Sequence, residues 1–86
     1  MPIISKNDYD YYPNDIVPVI ASFDSEGHIA PLYVRINGES CRVKSYWVSA
    51  TFRNSIDFKC KVIHGDYLKP LALTYHVQAN MWTIAK

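Results

Sequence analysis

From residue 15 onward, apolar and polar side chains alternate in short runs, and turn-forming residues interrupt those runs at intervals of about ten positions. Val, Ile, Tyr, Thr and Phe dominate the runs, and these residues suit a half-buried pleated surface. No window repeats apolar residues at i, i+3, i+4 and i+7 over the length a helix needs. The interruptions are Asp24-Ser25-Glu26-Gly27, Asn37-Gly38, Arg53-Asn54-Ser55, Gly65-Asp66 and Gln78-Ala79-Asn80. They predict six strands, at about 16–23, 28–36, 39–52, 56–64, 67–77 and 81–85.

Asn37-Gly38 is the sharpest local signal. Both central residues of a type I′ turn need positive φ, which Asn and Gly tolerate best. A two-residue turn there sets Ile36 opposite Glu39, Val34 opposite Cys41 and Leu32 opposite Val43 on one face. The other face receives the pairs Arg35–Ser40, Tyr33–Arg42 and Pro31–Lys44. One face is apolar and the other basic and aromatic, so register and pattern agree. Gly65-Asp66 suits a II′ turn. It pairs Cys60 with Leu71, Phe58 with Leu73 and Ile56 with Tyr75, and on the reverse face Lys59 with Ala72 and Asp57 with Thr74. In the last hairpin, pairing Val77 with Trp82 and Tyr75 with Ile84 keeps the apolar set together. Phe58, Leu73, Tyr75 and Trp82 are therefore expected among the most buried residues.

The third strand is long, and its alternation fails at Tyr46-Trp47-Val48. A bend or bulge there would let one strand serve two sides of a small barrel. Pro31 and Pro70 lack a ladder donor and belong at an edge or a bulge. The expected fold is all-β, a small antiparallel meander of about six strands closing into an SH3-like or related barrel. A flat sheet whose open face needs a partner is the alternative. Residues 1–14 read differently: Asp8, Tyr9, Asp10, Tyr11 and Tyr12 precede Pro13 with no period of two or of 3.6. They form an acidic, aromatic arm ahead of a single β-barrel domain at 15–86.

Composition narrows the function. With 86 residues, 49% hydrophobic and 20% charged, the chain is one globular domain with a small core. A deep catalytic cleft backed by a second domain does not fit that length. The net charge of +1 excludes a strongly basic nucleic-acid protein on bulk charge. The distribution is uneven, however: −4 over residues 1–27 and +5 over residues 28–86. Two cysteines are too few for a disulfide scaffold, the opening residues do not read as a leader, and no apolar run approaches membrane-spanning length. A cytoplasmic protein with no membrane association is expected.

No motif fixes a chemistry. His28, His64 and His76 fall on three different elements, without the converging ligands a metal needs. Cys41 and Cys60 point into the predicted core, where a thiol is inert. The three glycines are isolated in turns, so there is no phosphate-cradling loop. No catalytic residue, metal or cofactor is expected. The best candidate binding face holds Tyr33, Arg35, Arg42 and Lys44 on one hairpin and Lys59 and Lys61 on another. Rings and cations on a curved sheet are the platform single-stranded nucleic acid uses; an ordinary solvated sheet face is the other reading. Tyr9, Tyr11 and Tyr12 form a candidate interaction arm, because tyrosine carries much of the energy of protein interfaces.

Phe23-x3-Gly27-x3-Pro31, then Tyr33-x-Arg35 and the Asn-Gly hairpin, with the closing Leu73-x-Tyr75 and Met81-Trp82-Thr83-Ile84, carry a resemblance. The stretch 16–85 resembles short uncharacterised bacterial β-proteins of the type sometimes encoded beside, or appended to, error-prone DNA polymerases. The resemblance implies a fold and no catalytic residues. The sequence thus predicts a non-enzymatic interaction module whose partner is another protein or a second copy of itself. The alternative is a weak single-stranded nucleic-acid binder using the basic-aromatic face.

Overall fold

The computed structural model describes residues 15–85. It is all-β, without helix, and its strands form one curled half-barrel. The strands are β1 (Asp15–Val17), β2 (Val19–Phe23), β3 (Ile29–Ile36), β4 (Glu39–Thr51), β5 (Ser55–His64), β6 (Tyr67–His76) and β7 (Met81–Ile84). Every pairing is antiparallel, in the order β1-β7-β6-β5-β4-β3-β2. The first predicted strand is thus two, broken at Pro18, which has no N–H to give a ladder. β1 and β2 lie at opposite ends of the sheet order yet adjoin in the chain, so the sheet must curl until its ends meet at Pro18. The Arg35 N–H donates to the Pro18 carbonyl at 3.0 Å and ties the junction to β3.

The turns act as their residues dictate. Asn37 and Gly38 both take positive φ, 50° and 82°, as a I′ turn demands. Gly65 takes φ 62° while Asp66 does not go positive, which is the II′ pattern. The β3–β4 ladder holds the predicted pairs from Ile36–Glu39 to Tyr33–Arg42, and the β5–β6 ladder holds all those predicted. In the 24–28 turn, Asp24 accepts the N–H groups of Glu26 and His28 and the His28 ring. The His28 N–H above all holds the Asp24 carboxyl below its ordinary value.

Two details of register differ from the sequence reading. Ile20 faces Tyr33 and Ala21 faces Pro31, so Leu32 is an extra residue on β3. That bulge turns Pro31 into the core and Leu32 outward, and the expected Leu32–Val43 and Pro31–Lys44 pairs do not form. In the last hairpin Tyr75 meets Trp82 and Leu73 meets Ile84, a shift of two residues from Val77–Trp82 and Tyr75–Ile84. Asn80, at φ 53°, closes a longer turn than three residues allow. Because the shift is even, Trp82 still faces inward. Finally, the bend or bulge expected at Tyr46-Trp47-Val48 is present as two bulges on either side of that stretch, at Lys44 and Ser49.

The core lies on the concave face. Val34, Cys41, Phe58, Cys60, Val62 and Leu73 are almost wholly buried there, with Val17, Tyr75 and Trp82 close behind. The Trp82 ring stacks at 5.4 Å from Phe58 and 5.1 Å from Tyr75. Phe23, from the far end of β2, meets Tyr75 edge-on at 5.9 Å. Opposite walls of the half-barrel therefore touch through aromatic rings.

Candidate functional site

The convex face of β3, β4 and β5 collects the basic residues. Tyr33 on β3 stands opposite Arg42 on β4, and Arg35 opposite Ser40. Beyond the Lys44 bulge, Ser45 stands opposite Lys61 and Trp47 opposite Lys59. The two basic runs that the sequence left on separate hairpins therefore lie on adjacent strands of one surface. Arg35, Arg42, Lys44, Lys59 and Lys61 are all exposed, and among the described residues none of them makes an ion pair.

Among the described residues, one carboxylate shares that face. Asp57 stands one row beyond Lys59 on β5 and accepts the Thr74 hydroxyl at 2.8 Å. Five cations against one carboxylate make the surface strongly positive although the chain is close to neutral.

Sequence reasoning missed Trp47. A strict alternation continued from Cys41 and Val43 would place it inside. The bulge at Lys44 adds one residue and turns Trp47 outward, where it is 52% exposed. The only signal was the loss of alternation around it. The bulge also makes Tyr46 and Val48 face the concave side, yet both remain exposed. The reason is that the β3–β4 ladder stops at Tyr33–Arg42, so among the described residues no strand flanks that part of β4 on the side away from β5.

Two hollows adjoin these rings. One, of about 180 Å³, lies among Ile20, Tyr33, Arg35 and Ser40. The other, of about 350 Å³, runs beside Trp47, Lys59, Lys61, Pro70 and Ala72. A larger one, of about 470 Å³, opens where β1 and β7 meet the Asn37-Gly38 turn, away from the basic residues of β4 and β5.

The other candidates are dispersed. His28 lies in the Asp24 turn, His64 Nε2 is 3.2 Å from Glu39, and His76 Nε2 is 2.9 Å from the Thr83 hydroxyl. Among the described residues, no three His, Cys, Asp or Glu side chains converge as a metal site requires. Cys41 and Cys60 are free and buried, and burial pushes the Cys60 thiol up to about 11. A thiol so protonated is a poor nucleophile at neutral pH. Tyr9, Tyr11 and Tyr12 lie outside the described residues. No helix among the described residues is long and apolar enough to cross a membrane. Comparison with known protein families, with curated proteins and with solved structures returns no match.

Proposed function

We propose that this protein is a non-enzymatic binding module whose convex β3–β4–β5 face takes single-stranded nucleic acid. The observation that carries the proposal is the register that puts Trp47 beside Lys59 and Lys61 and in line with Arg42 and Tyr33. Exposed rings offer stacking to any base, and ammonium and guanidinium groups follow the phosphates. The face presents few neutral side chains able to read base edges, so the binding is tolerant of sequence. If Arg42, Lys44, Lys59 and Lys61 each neutralise one phosphate, log Kd changes with log salt at a slope of about 3. Affinity for a labelled oligothymidylate then falls about fiftyfold between roughly 50 and 200 mM salt. Fluorescence anisotropy measures this directly. No binding at the lower salt overturns the proposal.

A second reading, protein association, has its own observation. Residues 45–52 are eight consecutive residues without charge, proline or glycine. Among the described residues, the β4 part of this run pairs with β5 and with no other strand. Edges of this kind are normally guarded, and an extended chain can add to one as a further strand. Concentration-dependent light scattering that Val48→Lys abolishes supports this reading, and a scattering mass fixed at one chain across concentration excludes self-association.

A further inference from the structure

The convex face carries one feature more specific than its charge. Two rows cross β4, β5 and β6 side by side: Trp47–Lys59–Ala72 and Ser45–Lys61–Pro70. Each lysine stands between one small neighbour and one larger, flat neighbour. Trp47 and Pro70 occupy diagonal corners, and Ser45 and Ala72 leave the other diagonal open. Flanking strands two steps apart are separated by about 9–10 Å. The result is the groove of about 350 Å³ with an indole on one side, a pyrrolidine on the other and two ammonium stems between them.

We infer that this groove is a stacking subsite for one nucleotide of a single strand, with the base against Trp47 and the flanking phosphates on Lys59 and Lys61. The inference rests on the nucleic-acid reading and goes further in assigning a place, a stoichiometry and a selectivity. The volume lies within the range that accepts a small ligand. Among the described residues, no carboxylate lines the groove to repel phosphate, since Asp57 stands a row away and is engaged by Thr74. Apart from the two ammonium groups and the Trp47 indole N–H, the lining side chains are apolar or, at Cys60, a buried thiol. It holds donors only, with no side-chain amide or carboxylate to pair bidentately with one base edge, so the subsite accepts all four bases and does not separate RNA from DNA. Pro70 contributes a flat apolar wall because this part of β6 lies beyond the end of β7 and needs no second ladder.

The chain supplies its own reporter. It has two tryptophans, of which Trp82 is buried and Trp47 is half exposed. The full chain is titrated with dodecathymidylate at low salt, reading both anisotropy of the labelled oligonucleotide and tryptophan emission. Saturable quenching of the solvent-exposed emission, absent from Trp47→Phe, is expected. Trp47→Ala should weaken binding about 5- to 150-fold with its salt slope unchanged. Lys59→Ala and Lys61→Ala should each lower the slope by about 0.7. Unchanged far-ultraviolet dichroism and Trp82 emission show that each variant is folded. If anisotropy rises while Trp47 emission and the Trp47→Ala affinity stay as they were, the subsite is wrong and the wider proposal stands. If anisotropy does not rise at all, the nucleic-acid reading itself fails.

Discussion

Trp82→Ala tests the architecture most severely. Trp82 is only 7% exposed, and its ring packs against both Phe58 and Tyr75. It also stands opposite Val17 on β1, and among the described residues β1 pairs with β7 alone. One side chain thus fastens two short strands to the body. A tryptophan buries about 200 Å², which at about 25 cal/mol per Å² is worth about 5 kcal/mol as an upper bound. Measured truncations of buried Phe and Trp cost about 3–5 kcal/mol, so the two routes agree. A chain of 86 residues has about 4–13 kcal/mol of stability to lose. Trp82→Ala therefore removes a large share of it and unfolds the chain only if its stability lies at the bottom of that range, at about 4–5 kcal/mol. Urea unfolding followed by far-ultraviolet dichroism reads the loss. Trp82→Phe, which keeps a ring in the cluster, should lose less. Trp47→Ala, on the open face, should lie within about 0.5 kcal/mol of the parent. A Trp82→Ala cost below about 1 kcal/mol, or a larger cost at Trp47, refutes the inside–outside assignment of the two indoles.

Three other outcomes follow from the same packing. The Cys41 and Cys60 thiols should react with a disulfide reagent at pH 8 only as fast as the protein opens, and at once in denaturant; fast native labelling of Cys60 contradicts its burial and its raised value of about 11. Burial lowers the His76 pKa against a smaller opposing pull from Asp57, so unfolding takes up a proton, and stability should hold above the ordinary imidazole value of about 6.5 and fall as pH drops below it. His76→Gln should flatten that slope in pH-dependent urea midpoints, and an unchanged slope would assign it elsewhere. Gly38→Ala should cost about 1–2 kcal/mol through its φ of 82° alone, because the added methyl meets no atom within 4 Å; thermal unfolding checks this, and a neutral change would mean the turn is not I′.

Much of the fold was legible because its strongest signals are local. Asn37-Gly38 and Gly65-Asp66 each name a turn and so fix a ladder, and a ladder fixes which side chains share a face. Phe58, Leu73, Tyr75 and Trp82 could be placed inside from that logic. The last hairpin shows its limit. Val77–Trp82 and the observed Tyr75–Trp82 satisfy the same alternation, since a shift of two preserves parity. Only the turn could separate them, and Gln78-Ala79-Asn80 lacks the paired positive-φ residues that name a length.

The candidate site was legible only in part, for a related reason. A bulge adds one residue and reverses parity for everything after it, and sequence shows that reversal only as a blur in the pattern. At Leu32 the reversal buries Pro31, and at Lys44 it carries Trp47 onto the basic face. Reading straight through Lys44 puts Trp47 in the core and leaves Lys59 and Lys61 beside no ring. Counting the bulge puts an indole beside Lys59, one row from Lys61. The bulges at Lys44 and Ser49 bracket most of the stretch of β4 that has left β3, so the residues that bend the strand lie along its open edge. The open edge and the basic-aromatic face are thus two consequences of one irregularity. Removing it by deleting Lys44 should return Trp47 to the concave side and separate the ring from its lysines.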